Sequence, residues 1–184
     1  MRKSISKAIV STALVAAMVV TSVPVAAAAS PTKGVEPEAL TMVKGEDTGK
    51  GISVWANTSE DGSAVIKKVK SKKKTITFNT TVKINGINYT YIAVGKKAFK
   101  KCKKLKKVTL PISINRLRKQ SFMGSKVKDI TLTSKYAPTV AKSAFKGLRT
   151  KKMTIRATAM DAKQVKKLKK ALKTAKFKGS VVTA

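Results

Sequence analysis

An internal repeat of 22 to 23 residues in the second half of the chain most constrains the fold. Three short apolar runs recur at this spacing: VTL at 108–110, ITL at 130–132 and MTI at 153–155. A partial earlier unit ends in the similar run Ile76-Thr77-Phe78. One unit of this length cannot bury its own apolar face, so the units must stack and the ends of the stack must be capped.

Other positions repeat in step with these runs. The aligned residues are Phe99, Phe122 and Phe145; Val94, Leu117 and Val140, five positions before each phenylalanine; and Cys102, Ser125 and Leu148, three positions after it. Stacking predicts a ladder of phenylalanines in the core and parallel strands about 4.8 Å apart formed by the apolar runs. Strand alternation places Thr109, Thr131 and Thr154 on the exposed face of that sheet.

The unit AFKKCKKLKKVTLP, residues 98–111, shows what each turn of the stack contributes. Its apolar residues lie three apart from Phe99 to Val108 and then two apart to Leu110, which disfavours a single amphipathic helix. We predict a tight helical turn around 97–101 followed by a strand that Pro111 ends. The remaining positions are lysines that face solvent. The candidate anion-binding residues are Lys100, Lys101, Lys103, Lys104, Lys106 and Lys107, with Lys128, Lys151 and Lys152 in later units.

The segment 92–111 resembles the repeat of the BspA-like bacterial leucine-rich repeat proteins, which reads approximately I-x-x-I-G-x-x-A-F-x-x-C-x-x-L-x-x-V-x-I-P. The matching residues are Gly95, Ala98, Phe99, Cys102, Leu105, Val108, Leu110 and Pro111. The resemblance covers about 75 to 157. The second unit departs from it with Arg118 at the glycine position and a contraction by one residue, and the third lacks the closing proline. The resemblance implies a secreted or surface protein of a bacterium, and several members of this family are adhesins for host matrix proteins or other cells.

Together these patterns predict an α/β repeat solenoid of short leucine-rich-repeat coils with a parallel strand ladder. Residues 92–157 hold the repeats. A β-rich N-terminal cap at 51–91 contains two hairpins, one turning at Asp61-Gly62 and one at Asn85-Gly86, with Trp55 in the core of the cap. Residues 158–184 form a capping helix and tail.

The predicted C-terminal helix carries one apolar stripe: Val165, Leu168, Leu172 and Ala175. A capping box joins either Thr158 and Asp161 or Asp161 and Gln164. We expect this stripe to cover the last coil, although a basic amphipathic helix at 159–175 is also compatible with a membrane surface. The final residues KFKGSVVTA hold no sorting motif, so covalent anchoring to a cell wall is not expected.

The first 29 residues predict export. Basic residues precede an apolar run at 8–20, and Pro24 and four alanines at 26–29 follow it, which is typical of a secretory signal peptide cleaved after Ala28 or Ala29. The run is too short to span a bilayer comfortably, and no second long apolar segment follows. Residues 30–50 are rich in proline, glycine and charge and are predicted to be a flexible leader.

Charge narrows the choice of partner. The chain has 41 Lys and Arg against 8 Asp and Glu, a net charge of +33, or 33 − 3 = +30 without the signal peptide. Only five of these cations are arginine, and lysine is a hydrated point charge without a planar fork, so diffuse attraction to anions is favoured over specific recognition.

Catalysis is not expected. The chain has no histidine, and six of its eight carboxylates precede residue 62, in the leader and a hairpin turn. No metal site or cofactor site is predicted. We expect Cys102, the only cysteine, to be a buried apolar residue rather than a reactive thiol.

The sequence therefore predicts a secreted, monomeric, non-enzymatic repeat protein for surface association or adhesion. The lysine-rich face would hold an anionic cell-wall polymer, a host glycan or a matrix protein. Binding of nucleic acid or of a membrane surface is the alternative, because this charge attracts any polyanion. Base-stacking aromatics, the second feature of a nucleic-acid binder, are lacking, because the repeat phenylalanines are assigned to the core.

Overall fold

The computed structural model describes residues 42–44 and 51–183. The predicted signal peptide, its cleavage site and most of the predicted leader lie outside the described residues. The described strands are β1 (Met42–Lys44), β2 (Ile52–Thr58), β3 (Ser63–Ser71), β4 (Thr75–Thr77), β5 (Thr81–Ile84), β6 (Ile87–Val94), β7 (Lys107–Leu110), β8 (Arg116–Leu117), β9 (Asp129–Leu132), β10 (Thr139–Val140), β11 (Thr154–Ala157) and β12 (Ser180–Thr183). Helix α1 spans Ala162–Thr174, and a 3₁₀ turn spans Thr150–Lys152.

One sheet begins with the two predicted hairpins and continues into the repeats. Its seven strands run in the order β1-β2-β3-β6-β8-β10, with β5 paired to β6. Both predicted hairpins are present, and Asn85 and Gly86 have φ values of 51° and 80°, as a type I′ turn requires. Strand β3 pairs in parallel with β6, so the hairpins and the repeats share one sheet.

Two details of this end differ from the prediction. Strand β1 pairs with β2 and lies at 42–44, inside the segment predicted to be a flexible leader. Trp55 is half-buried rather than part of the core, and the Nζ atom of Lys68 lies 4.4 Å from the centroid of its ring.

The second sheet is the predicted ladder of parallel strands, in the order β4-β7-β9-β11-β12. Val108 pairs with Ile130, as the repeat predicts, but the partner of Ile130 in the third unit is Ile155 and not Met153. Ile155 lies ten positions after Phe145, whereas Ile130 lies eight positions after Phe122, and the longer third segment contains the 3₁₀ turn.

This shift by two residues changes the exposed face of the second sheet. Thr109 and Thr131 are partners, as predicted, but the next residue in their row is Arg156. Thr154 points to the same face but pairs with Asp129. All three threonines therefore lie on the exposed face, as predicted, but Thr154 is two residues out of line with the other two.

The turn segments wind with three residues per turn. Cys102 N–H donates to the Phe99 carbonyl over 2.9 Å, and Leu105 N–H donates to the Cys102 carbonyl over 3.1 Å. This winding explains why inward residues lie three apart. The predicted tight turn at 97–101 is present, since the Lys100 N–H donates to the carbonyl of Lys97, three residues earlier, over 3.0 Å; Lys97 itself has a φ of 57°.

The core contains the predicted phenylalanine ladder. Ring centroids are 5.1 Å apart between Phe99 and Phe122 and 5.9 Å apart between Phe122 and Phe145, and both pairs are nearly parallel. Phe78 extends the ladder before Phe99, and Phe177 extends it after Phe145. Such aromatic pairs add about 0.5–1.5 kcal/mol each beyond the area they bury.

The C-terminal segment contributes both a helix and a strand. Asp161 caps α1 by accepting the Gln164 N–H over 2.7 Å, but Gln164 does not complete a capping box because its Oε1 accepts the Ala137 N–H. The predicted stripe of Val165, Leu168 and Leu172 is buried, together with Ala175. The predicted tail is strand β12, which pairs in parallel with β11. Within the described ranges, no helix has the length and apolar character needed to cross a membrane.

Candidate functional site

The candidate site is the outer surface of the turn segments, which we call the turn face. It consists of the exposed side chains of residues 100–107, 126–128 and 149–152, which connect each core phenylalanine to the next strand. All nine predicted candidates are exposed on it: Lys100, Lys101, Lys103, Lys104, Lys106, Lys107, Lys128, Lys151 and Lys152. Their exposure follows from the winding, because the apolar residues between them point inward.

Stacking brings some of these lysines into one column. Lys107 N–H donates to the carbonyl of Lys74 over 3.0 Å, and Lys128 N–H donates to the carbonyl of Lys106 over 2.8 Å. Lys74, Lys106 and Lys128 thus precede neighbouring strands, whose backbones lie about 4.8 Å apart. Lys74 was not among the predicted residues. The partial unit ending at Phe78 was the signal that could have revealed it.

A depression of about 530 Å³ lies between the turn segments of the second and third units. Lys126 and Lys128 line one side, and Arg149 and Lys152 line the other. Of the predicted candidates, the structure thus gathers Lys128 and Lys152 here, while the other seven lie elsewhere on the turn face. Lys126 and Arg149 were missed. They continue the 23-residue repeat from Lys103, a charged column that lies outside the aligned apolar positions.

The carboxylates of the described residues do little to neutralise the turn face. Asp129 follows Lys128 and is the cross-strand partner of Lys107, but its carboxylate accepts from Arg156 Nε at 3.1 and 3.2 Å on the exposed face of the second sheet. The other carboxylates of the described residues are Glu60 and Asp61 in the β2–β3 turn and Asp161 at the start of α1. The basic surface of the repeats therefore attracts anions with little compensation from carboxylates in the part of the chain that the structure describes.

The buried groups of the repeats do not form a reactive site. Cys102 is fully buried, its Sγ lies 3.4 Å from the carbonyl oxygen of Val69, and burial raises the pKa of its thiol to about 11. Among the residues that the structure describes, no group of three or more His, Cys, Asp or Glu side chains is placed to hold a metal ion. What the arrangement offers chemically is charge on a rigid scaffold.

The sequence model of a protein family, the BspA type leucine-rich repeat region with six copies, matches residues 71–181. The chain belongs to the BspA-type leucine-rich repeat family. The resemblance seen in 92–111 is thereby confirmed. The match begins before β4 and ends within β12, so the BspA-type repeats extend beyond the segment 75–157 on which the resemblance was based.

Two solved structures are similar to this BspA-type chain at 15% sequence identity. A leucine-rich cell surface protein from Faecalibacterium prausnitzii A2-165 matches 82% of this chain and 44% of its own length, with a TM-score of 0.46. A leucine-rich repeat protein from Bacteroides ovatus ATCC 8483 matches 71% of this chain and 36% of its own length, with a TM-score of 0.38. The chain thus spans less than half the length of either protein. No curated protein matches the sequence.

Proposed function

We propose that this chain is a secreted or surface-associated binding scaffold that holds an anionic polymer through its turn face. The polymer is a cell-wall polyanion or an acidic host glycan, and no catalysis is involved. In this proposal the repeats form a short solenoid, closed by the hairpins at one end and by α1 and β12 at the other. The pattern of a signal peptide at 1–29 and membership of the BspA-type family support export.

The observation that carries the proposal is the charge of the turn face. All nine predicted lysines are exposed there, and Asp129, the carboxylate nearest to them along the chain, is paired with Arg156. A flexible polymer with repeated negative charge can contact several stacked turns at once. Each contact between a hydrated lysine and an anion adds little binding free energy, so affinity depends on the number of such contacts.

Two features of the structure favour a cell-wall polyanion or an acidic glycan over nucleic acid or a lipid surface as the ligand. Phe99, Phe122 and Phe145 are buried, so the repeat aromatics are not available as a platform on which bases stack. The apolar stripe of α1 is also buried in the protein and not presented to a bilayer. Both alternatives become outcomes of the binding experiment.

The experiment compares two variants of equal charge. The turn-face variant changes Lys100, Lys101, Lys103 and Lys104 to Gln, and the helix variant changes Lys163, Lys166, Lys167 and Lys170, which are exposed on α1, to Gln. Gln and Lys have similar helix propensities, so α1 is retained. We expect the turn-face variant to bind purified wall polymer at least about tenfold more weakly than the native chain, from the loss of four ionic contacts. The helix variant should bind more strongly than the turn-face variant.

Titrations with wall polymer, heparin, DNA and anionic vesicles at two salt concentrations complete the test. Bound protein should be released from cells by about 1 M salt, where the Debye length is roughly 3 Å. Retention on cells after such a wash would overturn the electrostatic mechanism. Equal losses in the two variants would show that net charge and not the turn face is responsible. DNA binding that survives physiological salt would favour nucleic acid as the ligand.

A further inference from the structure

The depression between the second and third units follows from their unequal turn lengths. The paired strand residue Ile130 lies eight positions after Phe122 in the second unit, whereas Ile155 lies ten positions after Phe145 in the third. The 3₁₀ turn Thr150–Lys152 lies in the longer segment. The longest turn segment therefore lies beside the shortest, which leaves a step in the turn face.

Backbone and hydroxyl hydrogen bonds hold both sides of this step. On the longer side, Thr150 Oγ1 accepts the Lys178 N–H over 3.2 Å, which ties the 3₁₀ turn to the segment before β12. On the shorter side, the Ser125 hydroxyl donates to the Phe122 carbonyl over 2.7 Å. The backbones of the two walls are thus fixed, while the cationic side chains remain exposed.

Four cations converge on the depression from its two walls. Lys126 and Lys128 belong to one wall, and Arg149 and Lys152 belong to the other. Among the described residues, none of the four makes an ion pair. Their mutual repulsion is relieved when an anion with several oxygens enters between the walls.

We propose that this depression is a subsite for a tetrahedral oxyanion, the phosphate or sulfate ester group of the bound polymer. The proposal rests on the proposed function, because it names the anionic group that the turn face recognises. The planar fork of Arg149 fits two oxygens of such a group, and the lysines of the facing wall reach the others. A planar carboxylate presents only two oxygens, so in this proposal it contacts one wall at a time and gains no more from the depression than from the rest of the turn face.

The test uses three polymers: dextran phosphate and dextran sulfate, whose monoester groups each have three non-ester oxygens, and poly-L-glutamate. The subsite variant is Arg149→Gln with Lys152→Gln. The control is Lys103→Gln with Lys104→Gln, which removes equal charge from the first coil of the same turn face. For the two ester polymers we expect the subsite variant to lose about tenfold more affinity than the control, as the loss of a charge-assisted hydrogen bond to phosphate predicts. For poly-L-glutamate the two variants should lose equally. Arg149→Lys keeps the charge and should lose the preference for esters over carboxylate.

Each result separates the subsite from the general face. A selective loss with only one of the two ester polymers supports the subsite and identifies the ester. Equal losses in the two variants for all three polymers would overturn the subsite and leave the proposed function standing. Failure of the native chain to bind any of the polymers would overturn both. If Arg149→Lys keeps the preference for ester polymers over poly-L-glutamate, the proposed role of the Arg149 guanidinium in the subsite is wrong.

Discussion

The inner and outer sides of the turn segments follow different rules of repetition. On the inner side, Phe99, Phe122 and Phe145 recur every 23 residues and stack at 5.1 and 5.9 Å. On the outer side, the first unit has six lysines between 100 and 107, whereas 123–128 in the second has only Lys126 and Lys128. The winding specifies which positions point inward but leaves the outward ones unconstrained.

This difference teaches where stability and binding are encoded. Inward positions must fill a space bounded by the units above and below, so their size and spacing are fixed. Outward lysines face solvent, so their size and spacing are not fixed by packing. Their dense positive charge opposes folding through repulsion. We therefore expect substitutions inside to change stability and substitutions outside to change binding, and three experiments test this division.

The largest expected effect is on the inner side. Phe122 is fully buried between Phe99 and Phe145, so Phe122→Ala leaves a cavity in the middle of the ladder. We expect it to lower the free energy of unfolding by about 3–5 kcal/mol, measured by denaturant titration. Lys103→Ala is the matched control on the same turn face, with an expected change of less than about 0.5 kcal/mol. Similar losses in the two variants would contradict the assignment of inner and outer sides.

A smaller effect is expected from the Cys102 thiol, whose pKa burial raises from about 9 to about 11. Above the unfolded pKa the unfolded chain releases this proton while the folded chain retains it, so stability is complete below about pH 9 and declines as pH rises towards 11. At pH 10 the expected loss is about 1–2 kcal/mol. Lysines and tyrosines titrate in the same range, so the measurement is the difference between the native chain and Cys102→Ala.

That difference in unfolding free energy should be constant below pH 8 and should shrink above pH 9. A thiol reagent supplies a second reading, because the native thiol should react only as fast as the chain opens. If Cys102 reacts rapidly in the folded chain at neutral pH, or if the difference does not change with pH, the inner side is more open than the structure shows.

The buried inner side of the repeats could be predicted from the sequence better than the strand register and the outer surface. The apolar residues that recur at a fixed period predicted the phenylalanine ladder and the parallel strands, because each of them must be buried within its own unit. The register of β11 was not predictable in this way. Met153, Ile155 and Ala157 are all buried, and a shift by two residues keeps the same face inward, so alternation cannot distinguish the two registers.

Features that depend on contacts between distant segments were also missed. Strand β12 and Phe177 follow α1, and their partners are β11 and Phe145 in the preceding unit. The exposure of the nine lysines could be predicted, because it depends only on the spacing of apolar residues within a single unit. The depression lined by Lys126 and Arg149 could not, because it arises from the difference in length between two neighbouring turns.

The smallest expected effect tests the outer side directly. Lys74, Lys106 and Lys128 precede adjacent strands, and like charges in neighbouring positions of a sheet are unfavourable. Lys106→Glu places opposite charge between the other two and should raise the free energy of unfolding by about 0.5–1 kcal/mol at low salt.

The matched variant Lys106→Gln removes the charge without reversing it, so it should give roughly half of this gain. The gain of both variants should disappear near 1 M salt, where the Debye length is about 3 Å. Both should also bind the anionic polymer more weakly than the native chain. If Lys106→Glu instead destabilises the fold, the lysine column contributes to folding, and the outer side is not free of structural constraint.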